Sequence, residues 1–254
     1  MGKVHVHRRG EATWITLDAP ERRNAFDPEM AAAAIEAIEA STDSRAVVIT
    51  GAPGAFCAGG ALDLLGAPTL KEMRKLYRMS WRLFDAIRLC PRPVIAAVNG
   101  AAAGGGNELV VACDLAIAAE SATFGQTGPR VGSAPVTGAT NVLSVQIGEK
   151  RAKEMSFLCR RYTARQALEL GLVNKVVPDD ELVQAVDDLV EELSALSPRY
   201  LEIAKISSNI WWNAARDNFS TGIGMLVQAV GSADMIEGAT AFLEKRRPQF
   251  PPPE

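Results

Sequence analysis

The spacing of apolar residues changes repeatedly along this chain. Short continuous apolar runs at residues 14–17, 46–50, 94–98, 115–118 and 173–177 are too brief for helices and rich in Val, Ile and Ala, so they read as buried strands. An N-terminal alternation, Val4-His5-Val6-His7, reads as a further strand with both histidines on one solvated face. Between these runs, residues 29–40 are alanine-rich and helical. Leu70, Met73, Leu76, Tyr77, Phe84 and Ile87 then recur at helix spacing. Strands alternating with helices predict an α/β fold.

Beyond about residue 195 the pattern changes. Leu182, Val186, Leu189, Val190 and Leu193 form one helical stripe, and Ser197-Pro198 supplies a break and a restart. From 201 to 242 no convincing strand appears. The expected division is a core over residues 1–195 and a helical region over 196–254. In the second part a stripe of Ile223, Leu226, Val227, Val230 and Met235 would bury against the core or a sister subunit. Residues 248–254, rich in proline, are expected to be extended or frayed.

Composition narrows the function. With 254 residues, 48% of them apolar, the chain is long enough for a sizeable core, and a formal charge of −3 leaves no basic footprint for nucleic acid. No apolar run approaches the roughly 18–20 residues needed to span a bilayer, and the N-terminus lacks a signal-type apolar core. A soluble cytoplasmic protein is expected. Cys57, Cys90, Cys113 and Cys159 are far apart with no CxxC, which argues for reduced thiols and against a zinc site or disulfide framework. His5 and His7 are the only histidines and no GxSxG is present, so a catalytic base must come from elsewhere.

The stretch Pro93-Val-Ile-Ala-Ala-Val-Asn-Gly-Ala-Ala-Ala-Gly-Gly-Gly-Asn-Glu-Leu109 carries the most chemistry. A buried strand runs through a glycine cluster into a helix with a carboxylate in its first turn. Glycine permits close approach, and a helix N-terminus leaves backbone N–H donors unpaired. Upstream, Gly54-Ala-Phe-Cys-Ala-Gly-Gly60 follows another apolar strand and offers a second donor. Two N–H groups meeting at one oxygen make an oxyanion hole, so the chain reads as an enzyme acting on a carbonyl. A nicotinamide enzyme is disfavoured, because GxGxxG with an acid about twenty residues on is missing.

These segments, together with Pro20-Glu-Arg-Arg-Asn-Ala-Phe26, Cys113-Asp114, Ala122-Thr-Phe-Gly-Gln126, Ala167-Leu-Glu-Leu-Gly-Leu-Val173 and Phe242-Leu-Glu-Lys-Arg246, resemble the crotonase (enoyl-CoA hydratase/isomerase) superfamily. The resemblance runs from about residue 4 to 250. It implies a crotonase-like spiral of ββα turns with a C-terminal helical trimerisation region, hence a homotrimer or a dimer of trimers. It also implies an acyl-CoA substrate, with coenzyme A as part of that substrate and no permanently bound cofactor. Carried over by position, the oxyanion donors are Gly60 and Gly105. Arg23 is preferred over Arg22 as the cation near the CoA phosphates, and Ala58, Phe242 and Lys245 fall at CoA-contacting positions, the last two possibly across a subunit boundary. Where the family usually has an aspartate after the first oxyanion glycine, this chain has Ala61 and then Asp63.

Glu108 aligns with one of the two catalytic glutamates of the hydratases, and its other reading is to cap the helix's first turn. The second hydratase glutamate is replaced by Gly128. Glycine neither accepts nor donates a proton, so ordinary syn hydration is expected to be impaired. Phe124-Gly-Gln-Thr-Gly-Pro-Arg-Val-Gly-Ser133 instead resembles the branch of dihydroxynaphthoyl-CoA synthases and oxocyclohexene-carbonyl-CoA ring hydrolases. There Gln126, Thr127, the N–H of Gly128 and Ser133 would form a polar site in place of the missing carboxylate. Ser133-Ala-Pro135 lacks the Phe-Asp pair that follows the serine in the synthases, and Ser156 replaces their bicarbonate-flooring tryptophan, so the ring hydrolases match better. The alternatives are a hydratase or isomerase with Glu108 as its sole glutamate, and a CoA-binding scaffold that has lost catalysis. Asp114 is expected to make structural hydrogen bonds and Tyr77 to pack in the core. Asp63 is a general acid or a loop cap. Of Trp211 and Trp212, which cannot share a helix face, one would pack and one line a pocket.

Overall fold

The computed structural model describes residues 2–61, 69–138 and 141–252. Asp63 lies outside the described residues. The chain opens with β1 (Lys3–Arg9) and β2 (Ala12–Asp18), an antiparallel pair, and then α1 (Pro28–Ala40) and β3 (Ala46–Gly51). Asp27 caps α1 by accepting from Met30 N at 2.8 Å, with Pro28 at the first helical position. The next helix, α2 (Leu70–Leu89), starts in a Thr69/Glu72 capping box. It leads to β4 (Val94–Val98), the short β5 (Ala101–Ala103), α3 (Gly105–Ala112), β6 (Leu115–Ala119) and β7 (Thr123–Gly125). Then follow α4 (Leu143–Ile147), α5 (Glu149–Leu158), β8 (Tyr162–Thr163), α6 (Ala164–Leu170), β9 (Lys175–Val177) and α7 (Leu182–Ser194). The chain closes with α8 (Pro198–Ser208), α9 (Ile210–Gln228) and α10 (Ala233–Leu243).

Two sheets result. The larger has the order β1-β2-β3-β4-β6-β9, parallel from β2 onward, and the smaller has β5-β7-β8. Each turn of the chain gives one strand to the large sheet and one extended piece to the small one. Beside β5, parallel bridges Cys57↔Ala102 and Phe26↔Gly60 carry the earlier turns onto that edge. The stacked turns are the expected spiral. In the large sheet β3 and β4 are buried on both faces, which is why their sequences are continuously apolar rather than alternating. Val47, Ile49, Val94 and Ala96 face α1, α2 and α3, whereas Val48, Ile95 and Ile117 meet Val186 and Val190 of α7.

The run at 173–177 yields a shorter strand than its hydrophobicity suggests. Asn174 answers β6 with its side chain, Oδ1 accepting from Ala116 N at 2.8 Å, so strand geometry begins only at Lys175. His5 and His7 are exposed on β1 as expected.

The C-terminal helices dock on the spiral. Trp212 of α9 is fully buried, donates from Nε1 to Asp85 at 3.2 Å, and lies under the Arg88 guanidinium 5.1 Å from its ring centre. Lys205 of α8 reaches Asp114 at 2.6 Å and donates to the carbonyls of Ile87 and Arg92. Asp114 also accepts from Val94 N, the structural role expected of it. Met235 and Ala239 of α10 pack on Met73 and Leu76 of α2. The α10 backbone crosses residues 131–132 so closely that a side-chain carbon on Gly238 would stand 2.2 Å from Gly132 N.

Candidate active site

Three successive glycines begin α3, and each has a different reason to be one. Gly104 has a φ of +54°, a left-handed conformation costly for a residue with a side chain. A carbon on Gly106 would lie 1.9 Å from the Cys57 carbonyl oxygen, so α3 starts in direct backbone contact with the loop after β3. Gly105 faces that same loop. A carbon there would stand 3.3 Å from Gly60 N and 3.3 Å from Gly59 Cα, and one on Gly59 would come within 2.8 Å of Gly105 N. Tetrahedral geometry puts such a carbon about 2.5 Å from its own nitrogen, so the nitrogens of Gly60 and Gly105 are at most about 5.8 Å apart. One oxygen at a hydrogen-bonding distance of about 2.9 Å can bridge that span.

Neither donor has a protein acceptor among the described residues. Gly105 is the first residue of its helix and has no intrahelical acceptor. Gly60 N donates to no acceptor among the described residues, because the bridge to Phe26 uses the flanking groups, Gly59 O and Ala61 N. The loop that presents Gly60 is pinned by Asn24, wholly buried in a left-handed conformation. Its Oδ1 accepts from Ala19 N at 3.0 Å and its Nδ2 donates to the carbonyls of Ala52 and Ala55, each at 2.8 Å. Gly51 and Asn99 exchange two further bonds between the ends of β3 and β4. The Arg-Asn-Ala motif is thus a staple for the oxyanion loop.

A cavity of about 90 Å³ opens between the two turns. Its wall includes Ala58, Gly60, Gly105, Glu108, Gly128 and Ser133, so all five expected catalytic positions and one expected CoA contact converge on one space. Glu108 is buried on α3. Its Oε1 accepts from Thr137 N at 2.8 Å and its Oε2 from Thr137 Oγ1 at 2.9 Å, which fixes the carboxylate against rotation. Nothing in the sequence pattern singled out Thr137. Gly128 sits at the start of a tight turn over residues 128–130, where its carbonyl accepts from both Val131 N and Ser133 N at 2.9 Å. A carbon on Gly128 would be 3.0 Å from Ala134 Cα and from Ser133 O, so this position is shaped for glycine.

Tyr77 packs against the Met73, Leu76, Met235 and Ala239 cluster as expected, and it also lies on the cavity wall, because the apolar stripe of α2 that buries Leu76 and Phe84 also faces the cavity. Burial pushes its phenol up to about 12, and a hydrogen bond from the Ser133 side chain offsets part of that rise. Leu226 of α9 adds an apolar wall from the C-terminal part. Trp212 packs, but Trp211 is largely exposed and lies off the cavity wall, since α9 turns its adjacent indoles to opposite sides. Cys57, next to the oxyanion loop, has its thiol raised to about 12 by burial and is no nucleophile.

The remaining CoA positions are less concentrated. Arg22 is tied to Asp27 at 3.0 Å and to Glu21 at 3.4 Å, whereas the Arg23 side chain is exposed with no partner among the described residues, and its carbonyl accepts from Ala58 N. Phe242 and Lys245, at the end of α10, are exposed and away from this cavity. Among the described residues no cluster of His, Cys, Asp and Glu is arranged to hold a metal, and no helix is long and apolar enough to cross a membrane.

A spiral of ββα turns with two glycine loops meeting over a buried glutamate is the architecture of an acyl-CoA enzyme. The sequence profile of the enoyl-CoA hydratase/isomerase family matches residues 9–252. An enoyl-CoA hydratase from Mycobacterium avium subsp. paratuberculosis superposes with a TM-score of 0.85 at 28% identity, covering 98% of each chain. A carnitinyl-CoA hydratase from Mycobacterium avium gives 0.85 at 34% identity over 97% of each chain. An enoyl-CoA hydratase from Bacillus anthracis gives 0.79 at 30%, over 97% of this chain and 98% of that one. The chain belongs to the enoyl-CoA hydratase/isomerase family, within the crotonase superfamily of acyl-CoA enzymes.

Proposed function

We propose that this enzyme cleaves, or in reverse forms, a carbon–carbon bond in a β-oxoacyl-CoA through a thioester enolate. The observation that carries the reading is the pairing of a buried, hydrogen-bonded Glu108 with a glycine at 128, where a side-chain carbon would stand 3.0 Å from Ala134 Cα and Ser133 O. Hydration across a double bond is served by two proton-handling groups, and this cavity offers one carboxylate among its described walls. In ring opening, Glu108 takes a proton from water as the water oxygen bonds to the ketone carbon. The bond between that carbon and the thioester α-carbon then breaks. Its electron pair passes into the thioester enolate, whose oxygen the N–H groups of Gly60 and Gly105 hold. The α-carbon then takes up a proton, leaving a carboxylic acid and an acyl-CoA. Gln126, Thr127, Gly128 N–H and Ser133 supply the polar wall opposite.

Arg23 and Ala58 are assigned to the CoA moiety on the strength of the free guanidinium beside the oxyanion loop. Phe242 and Lys245 are assigned to the CoA of a neighbouring subunit. A homotrimer, or a pair of trimers, is supported by Tyr200, Ile203, Ile206, Ile210 and Trp211, all large apolar residues left exposed on α8 and α9. Four buried free thiols favour a reducing, cytoplasmic setting.

A second reading, hydration or isomerisation with Glu108 as the sole glutamate, is favoured by the relatives named enoyl-CoA hydratase and carnitinyl-CoA hydratase. Purified enzyme incubated with crotonyl-CoA and with 2-oxocyclohexanecarbonyl-CoA separates the two. Formation of a dicarboxylic acyl-CoA from the cyclic ketone supports cleavage, and loss of enoyl absorbance from crotonyl-CoA alone overturns it.

A further inference from the structure

With Gly60, Gly105 and Glu108 assigned, Ser80 bonded to the Leu76 carbonyl and Thr137 bonded to Glu108, the polar side chains left on the cavity wall are Tyr77, Gln126, Thr127 and Ser133. Tyr77 comes from the middle of α2, and Ser133 from the segment after the tight turn at 128–130. Gln126, at the end of β7, is 1% exposed, yet neither its Oε1 nor its Nε2 has a hydrogen-bond partner among the described residues. A buried amide with both ends unsatisfied costs stability, about 1–3 kcal/mol per lost group, and such a group is retained where a ligand completes it. Leu76, Phe84 and Leu226 add apolar wall to the same cavity.

Building on the acyl-CoA reading above, we propose that Tyr77 and Gln126 form a second oxygen-binding station that selects short acyl-CoA thioesters carrying a keto or hydroxyl oxygen on the acyl chain. The Tyr77 hydroxyl and Gln126 Nε2 are donors for such an oxygen, and Gln126 Oε1 accepts where that oxygen is a hydroxyl. The phenol stays protonated at neutral pH, since burial holds it far above that range. A thioester whose acyl chain lacks the second oxygen leaves all of these groups unpaired on binding. Such a site discriminates by the penalty on the wrong ligand as much as by the gain on the right one.

The test compares two thioesters of equal chain length, acetoacetyl-CoA and butyryl-CoA, titrated calorimetrically into the full-length protein. Wild type is expected to bind acetoacetyl-CoA at least tenfold more tightly. Tyr77→Phe and Gln126→Leu should each shrink that ratio severalfold, weakening acetoacetyl-CoA and leaving butyryl-CoA bound as tightly as before or more tightly. Phe keeps the ring and its packing, so a purely structural role for Tyr77 would shift both affinities together and overturn the proposal. A wild-type ratio below threefold overturns it as well, with the acyl-CoA reading left standing. Failure of both thioesters to bind would instead bring down the acyl-CoA reading and this station with it.

Discussion

Replacing Gly105 by Ala tests the oxyanion hole with the smallest available perturbation. The new methyl would stand 3.3 Å from Gly60 N, 3.3 Å from Gly59 Cα and 3.3 Å from Phe26 Cζ. It therefore competes with the thioester oxygen for the space that both donors face. Interference with one oxyanion donor costs roughly 10²- to 10³-fold in rate, or about 2.7–4 kcal/mol of transition-state stabilisation. The fold is affected far less. Three contacts at that distance ask for shifts of a few tenths of an ångström, and alanine is favoured over glycine in a helix by up to about 1 kcal/mol, which offsets part of the strain. With roughly 2–4 °C per kcal/mol for a chain near this size, Tm should move by only a few degrees. The assay needs no knowledge of the final reaction: exchange of the butyryl-CoA α-protons in D2O, followed by NMR, reports enolate formation directly. Gly105→Ala should slow exchange at least 100-fold. An exchange rate within threefold of wild type, with the variant folded, would refute the assignment of Gly105 as a donor to the thioester oxygen.

The remaining predictions are compact. Glu108→Gln should lower the exchange rate by about 10²- to 10⁴-fold, as for loss of a general base, and Thr137→Val by roughly tenfold, since Thr137 Oγ1 donates to the carboxylate and helps to hold it. Gly128→Glu should fail to create crotonyl-CoA hydration and should lower Tm, because its side chain would press on the backbone of Ser133 and Ala134; a stable, active hydratase would show that the loop yields. Trp212→Ala should cost about 3–5 kcal/mol by thermal unfolding, whereas Trp211→Ala should leave the protomer folded and alter association, read by light scattering. Burial pushes the Asp27 carboxyl up, but bonds from Met30 N, Arg22 and Gly2 N outweigh it and hold the group below its ordinary 3.8. Its charged form thus stabilises the fold above the unfolded value, and that contribution is lost as pH falls through the folded value. The Tm deficit of Asp27→Asn should be present at pH 7 and close as pH falls below the ordinary carboxyl value and through the lower folded one.

The large sheet was legible because burial on both faces leaves an unbroken apolar run, which composition and length alone identify as strand. The small sheet was not. β5, β7 and β8 are two or three residues each, too short for any periodicity, and β5 is three alanines that look like part of the turn toward Gly104. Their pairing is fixed by the spiral, which brings residues 57, 102 and 124 side by side although they are dozens of positions apart in the chain. The same distance hid Thr137: a threonine in a loop has no pattern of its own, and only its contact with Glu108 gives it meaning. The cavity face of Tyr77 was hidden for a related reason. Helix spacing reports which side of α2 is covered, and that side packs on a core cluster and borders the cavity at once.

The glycines were the most informative residues because their role is local and steric. Gly104, Gly105 and Gly106 answer three separate demands, a left-handed turn, an open donor and a backbone contact with Cys57. A single alanine at 106 would put a carbon 1.9 Å from that carbonyl and drive the two loops apart, removing the oxyanion hole without touching either donor. Gly128 extends the same logic to specificity. Its carbonyl accepts from Val131 N and Ser133 N, so the turn that carries a glycine at 128 also holds Ser133 on the cavity wall. A glutamate placed at 128 alone therefore presses on Ser133 O and Ala134 Cα and disturbs that wall before it can supply a proton.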